Sequence, residues 1–104
     1  MSAVQADTIT KTKIRTDLAP PTMYCVVYYD DDSTPMQFVA DTLIAIFGFD
    51  SEAALALTET IQVLGSGVAA SGLTKELATH LQDLVLLHSE ENGFNLKVEV
   101  KEQF

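Results

Sequence analysis

Cysteine, histidine and positive charge are all scarce in this chain of 104 residues, and each shortage removes a class of function. The one cysteine, Cys25, closes no internal disulfide, so the chain is not a disulfide scaffold. Set within the apolar run "MYCVVYY", it reads as a small buried side chain. Two histidines, His80 and His88, and one cysteine cannot furnish a structural zinc set. Both histidines fall in helical pattern with no carboxylate at a helpful spacing, so nucleophilic catalysis has no constellation to work with. Six basic residues face fifteen acidic ones, for a net charge of −9. Such a surface is repelled by phosphates, which argues against DNA or RNA as a partner. Long apolar runs are missing too: "LIAIFGF" is far shorter than the roughly 18 residues of a membrane span, and no basic-then-apolar leader stands at the start. No repeat at a period of 20 to 50 residues is visible. The expectation is a soluble intracellular protein that is not an enzyme, with no cofactor and no metal.

Apolar residues make up 47% of the chain, enough for one folded domain of this length. Residues 1–19 hold few large apolar side chains and read as a flexible N-terminal tail. Lys11, Lys13 and Arg15 against Asp7 and Asp17 give that tail a net charge of +1, leaving −10 on the rest. Pro20-Pro21 marks the border, and residues 20–104 form the core domain. Its acidity favours cationic partners.

"MYCVVYY", rich in β-branched and aromatic residues, reads as a central strand. A helix start follows, with Thr34 as N-cap, Pro35 at the first helical position and Gln37 completing a capping box. Met36, Val39, Leu43, Ile46 and Phe47 line one face of that helix, and Gly48 ends it. Asp50 caps a second helix with Ala54, Leu57, Ile61 and Leu64 inward and Gly65 at its end. "VAAS" is a short strand after the Gly65-Ser66-Gly67 turn, which lacks the context of a phosphate loop. Thr74 caps a third helix with an inward stripe of Leu77, Leu81, Leu84, Val85 and His88, ending near Asn92-Gly93. "LKVEVK" alternates, with Leu96, Val98 and Val100 inward. The order β-α-α-β-α-β predicts a small α/β (α+β) sandwich, one sheet carrying helices on one face.

The stretch "YYDDDSTPMQFV" (28–39) places three carboxylates where strand passes into helix. An EF-hand loop wants alternating ligands and a glycine at its sixth place, but Pro35 stands sixth from Asp30. A solvated turn, carboxylates beside a helix N-terminus and a cation site all remain open on the residues alone. Periodicity by itself assigns Met36, Val39 and Ile61 to a core.

The segment "PPTMYCVVYYDDDSTPMQFVADTL" closely resembles the ClpS family, the adaptors that hand N-end-rule substrates to Clp AAA+ proteases. The resemblance runs from Pro20 to about Val100, through the capped helices and "ENGFNL". It implies three helices packed on a small three-stranded antiparallel sheet, in a monomer of the cytoplasm or the plastid stroma. It also implies N-degron peptides or proteins as ligands and the N-domain of a ClpA- or ClpC-type ATPase as partner.

Carried over by position, Asp30, Asp32 and Gln62 surround a free α-amine, with Asp31 adding field. Thr34, Met36, Val39, Thr58, Ile61 and Leu96 line the pocket for the first side chain, with Tyr28 or Tyr29 at its edge and Met36 as gate. Glu76 matches a docking glutamate. The chain departs from the family in having Asp30 for an asparagine, Gln62 for a histidine and Thr58 for a methionine. Leu81 stands where the family has a docking lysine. Thr58 implies a deeper pocket if nothing refills the volume. The alternative implied role is a ClpS-like decoy or regulator that binds a Clp chaperone or N-termini without delivery.

Overall fold

A computed structural model describes residues 21–103. The expected tail, residues 1–19, lies outside the described residues. Strand β1 (Tyr24–Tyr29) is followed by α1 (Met36–Phe47), α2 (Ser51–Leu64), β2 (Ser66–Leu73), α3 (Lys75–Glu91) and β3 (Lys97–Glu102). The three strands make one antiparallel sheet in the order β2-β1-β3, so "YCVVYY" is the central strand, as its composition implies. Pairing with β3 is regular from Tyr24↔Glu102 to Tyr29↔Lys97, whereas pairing with β2 shifts register on either side of Val26.

Alternation along β1 sends Val26 and Tyr28 to the helical face, where they join Val39, Ala40, Leu43, Ala54, Ile61, Ala78, Val85, Leu96 and Val98 in one core. The Tyr28 hydroxyl lies 2.8 Å from Thr42 Oγ1. Thr42 donates its own proton to the Val39 carbonyl (2.8 Å), so Tyr28 is the donor to Thr42. Burial raises the Tyr28 phenol well above its ordinary range, and it stays protonated. β2 is longer than expected: Ser66 and Gly67 already pair with Tyr29 and Tyr28. Gly67 is needed there because a Cβ would stand 2.9 Å from Ile61 Cγ1 and from Leu57 Cδ1, where α2 lies against the strand.

Local signals fix most helix ends. Asp50 accepts from the Ala53 amide (2.8 Å), and Thr74 accepts from the Leu77 amide (3.2 Å). Gly48 and Gly65 close α1 and α2 with φ of 77° and 91°. The capping box expected at α1 does not form. Pro35 occupies the N-cap, Thr34 turns its hydroxyl back to the Asp31 carboxylate, and Gln37 bonds Asp41 instead (3.0 Å). The ionised Asp31 carboxylate three residues upstream orients the Thr34 hydroxyl as a donor, and Thr34 accepts from no helix amide.

Two expected stripes also need correction. Leu64, the last residue of α2, is 74% exposed. On α3, Leu77 and Leu84 are 46% and 38% exposed, and the inward positions are Ala78, Leu81, Gln82, Val85 and Ser89. His88 is exposed, though its ring stacks on Phe38 at 5.7 Å.

Candidate functional site

The end of β1 is held by bonds on both sides of the aspartate run. The Asp30 amide donates to the Gly65 carbonyl (2.9 Å), which fastens the start of the turn to the C-terminus of α2. Asp31 then folds the turn on itself. Its Oδ1 accepts from the Ser33 amide and hydroxyl (3.0 Å each), and its Oδ2 accepts from the Thr34 hydroxyl. These bonds, Thr34 first and the Ser33 amide next, hold the Asp31 carboxyl below its ordinary value, so it is ionised at neutral pH. This Asx-type turn has a visible local signal in the Asp-x-Ser-Thr spacing, one that a search for caps passes over.

Because the turn is tied to α2 and continues into α1, it leaves a cavity between them. Its lining is Tyr29, Asp30, Asp31, Thr34, Met36, Val39, Thr58, Ile61, Gln62 and Leu96. Positions 58, 61 and 62 share one face of α2, and 36 and 39 share one face of α1. Leu96 is presented just before β3, its amide donating to Ser89 Oγ on α3 (3.0 Å). Thr34, Val39, Thr58, Ile61 and Leu96 are buried, while Asp30, Gln62 and Met36 are exposed at the mouth. The interior is therefore mainly apolar, with two carboxylates and an amide converging at its entrance.

Nine of the ten residues named for the amine and the pocket line this one cavity; Asp32 does not. Asp32 is exposed, and it is Asp31 that joins Asp30 and Gln62. Of the two tyrosines, Tyr29 reaches the lining and Tyr28 belongs to the core. The Lys101 ammonium stands 5.5 Å from the centre of the Tyr29 ring. The cavity is tight, with about 20 Å³ of room for a water-sized sphere, the space of a single water. The depth expected from Thr58 is not open: its hydroxyl donates to the Ala54 carbonyl (2.7 Å), and the neighbours close the rest. Chemically, the entrance accepts hydrogen bonds from a cation and the interior takes an apolar group. Among the described residues, no group of three or more His, Cys, Asp or Glu is placed to hold a metal ion.

Glu76 lies elsewhere, exposed on α3 beside a groove with Lys75, Thr79, His80 and Asp83. Leu81 is half-buried against the core.

The family model described as "ATP-dependent Clp protease adaptor protein ClpS" matches residues 19–99. The chain belongs to the ClpS family. The ClpS adapter of Escherichia fergusonii is 36% identical over 86 residues, covering 83% of this chain and 80% of that one. The ClpS adapter of Cronobacter sakazakii is 36% identical over 90 residues, covering 86% and 84%. Among solved structures, Agrobacterium tumefaciens ClpS2 bound to L-phenylalaninamide superposes with a TM-score of 0.77 at 25% identity, over 81% of this chain and 100% of that one. The three-helix, three-strand order is thus the ClpS fold. The protein is an adaptor of the ATP-dependent Clp protease, and the ClpS description is that of an adaptor rather than a protease. No helix among the described residues is long and apolar enough to cross a membrane.

Proposed function

We propose that this ClpS protein captures free N-termini of substrate proteins at the cavity between α1 and α2 and delivers them to a ClpA- or ClpC-type ATPase. The α-amine is held by Asp30, Asp31 and Gln62, with Asp32 contributing only field from outside. The first side chain, large and apolar, enters among Thr34, Met36, Val39, Thr58, Ile61 and Leu96. The observation that carries this reading is the meeting of an apolar interior with two carboxylates at its mouth. L-phenylalaninamide, the ligand of the Agrobacterium relative, has the same two features, a free α-amine and an apolar ring.

An ammonium needs several acceptors, and carboxylates supply them with charge assistance. Burial of the side chain adds about 1.5–3 kcal/mol. Requiring both selects large apolar N-termini. Docking to the ATPase N-domain uses Glu76, with His80 one turn on along the same groove. The adaptor works as a monomer in the cytoplasm, the setting favoured by its bacterial relatives, and catalyses nothing itself. Residues 20–104 are its core domain and 1–19 a tail. The test is titration with peptides differing only in their first residue, each beside its N-acetylated twin. Equal binding of the two forms sinks the amine site.

A second reading, a ClpS-like decoy that binds without delivery, is favoured by the half-buried Leu81 at the position of the family's docking lysine. Degradation of a Phe-initial substrate by the ATPase and its peptidase, with and without this protein, separates the two: acceleration supports delivery, inhibition the decoy.

A further inference from the structure

We propose that the groove beside the cavity is the subsite for the second residue of the bound N-terminus, and that Lys97 sets the charge it accepts. The proposal rests on the cavity taking the first residue. The groove holds about 320 Å³ and is lined by Asp30, Asp31, Asn95, Leu96 and Lys97. It shares Asp30, Asp31 and Leu96 with the cavity, so the two adjoin along a common wall. Consecutive Cα atoms are about 3.8 Å apart, so a second residue leaving the first cavity starts against that wall. The groove along the end of α3 shares only Leu96 with the cavity, and the one around Glu76 shares nothing.

Its chemistry is polarised. The carboxylates lie on the shared side, while Asn95 and Lys97 line the groove and not the cavity. Lys97 opens β3 opposite Tyr29 and is exposed. Once an α-amine has neutralised one of the two carboxylates, Lys97 cancels the other. A side chain in the groove then meets no net charge, although the core around it is strongly acidic. Without Lys97 the same groove is negative and rejects Asp or Glu at the second position. Asn95 supplies a donor and an acceptor to the peptide backbone passing over it.

The experiment compares three peptides, Phe-Asp, Phe-Ala and Phe-Lys with a common tail, on the unmodified protein and on Lys97→Glu. The expected result is an affinity ratio of Phe-Lys to Phe-Asp that rises about fivefold, the scale of one surface ion pair gained or lost. Phe-Ala should stay within about twofold. Lys75→Glu, the same charge change on α3, should leave the ratio alone. An unchanged ratio in Lys97→Glu, or an equal shift in Lys75→Glu, overturns the subsite. Failure of all three peptides to bind the unmodified protein overturns the first-residue reading and this one with it. Lys97→Gln, with a thermal melt, covers the case in which the reversed charge disturbs the sheet, and it should shift the ratio in the same direction by less.

Discussion

Asp30→Ala isolates the amine site from the fold. Asp31 is unsuitable for this purpose because its carboxylate also organises Ser33 and Thr34. The Asp30 side chain is exposed at the cavity mouth, and its tie to Gly65 runs through the backbone amide, which alanine keeps. A hydrogen bond to a charged group is worth about 1.5–3 kcal/mol. At an exposed entrance water competes, so the lower end applies, which is roughly tenfold in Kd. Asp30→Asn, which keeps an acceptor and loses the charge, should cost less, about threefold to fivefold. The loss should shrink in high salt, as it does for exposed charges. Asp32→Ala is the paired control. That residue does not line the cavity, and its removal should cost less than about twofold. Fluorescence anisotropy of a labelled Phe-initial peptide reads all three, with melts confirming unchanged stability. If Asp32→Ala weakens binding as much as Asp30→Ala, the turn attracts cations by summed charge and no acceptor is placed. If Asp30→Ala binds normally, the amine is held elsewhere.

N-acetylation of the same peptide should abolish measurable binding by anisotropy, since it removes the charge and two of the three donors. Thr58→Met puts a larger side chain into a cavity with room for about one water, so competition titration should show Tyr and Phe losing affinity relative to Leu. Gly67→Ala forces a Cβ to within 2.9 Å of Ile61 and Leu57, an overpacking cost of about 1 kcal/mol. It should lower Tm by roughly 4–8 °C and weaken peptide binding through Ile61. Asp31 has a lowered carboxyl pKa, so its contribution is present above the ordinary value of 3.8 and is lost as pH falls through the lower folded value. Turn stability and binding should hold at pH 5 and fade below about pH 4. A step near pH 6.5 would contradict this, because Gln62 does not titrate and neither histidine lines the cavity.

The parts of the fold legible in the sequence are those decided within a few residues. Asp50, Thr74, Gly48 and Gly65 act on amides and carbonyls one turn away, so their roles follow from spacing alone. Thr34 carried the same signal and did something else, because Asp31 offered its hydroxyl a charged acceptor. The α3 face was misjudged for a different reason. Its inward positions include Ala78, Gln82 and Ser89, whose hydropathy does not announce burial. Gln82 donates to the Val98 carbonyl in β3 (2.9 Å), and Ser89 accepts from the Leu96 amide just before it (3.0 Å), bonds that leucine cannot make. The cavity's residue types came from family resemblance rather than periodicity, which assigned Met36, Val39 and Ile61 to core. That Asp31 rather than Asp32 lines the cavity lay beyond both, because which of two adjacent residues lines it depends on how the turn closes.

That closure also shapes how selection operates. With room for about one water, the cavity does not stand open for a phenyl ring. Something must yield, and the lining side chain best able to do so is Met36. It is 40% exposed, unbranched and at the first position of α1, while Val39, Thr58, Ile61 and Leu96 are buried and packed. On the proposed function, a large first residue would have to displace the Met36 side chain, and only enough buried apolar area would offset that. Small N-termini anchored by the same carboxylates gain the amine contacts without opening the cavity. Discrimination then arises from a difference between two side-chain terms, with the carboxylates contributing equally to every free N-terminus. On the proposed function, the acidic corner would supply affinity and orientation, and the tight apolar cavity the choice.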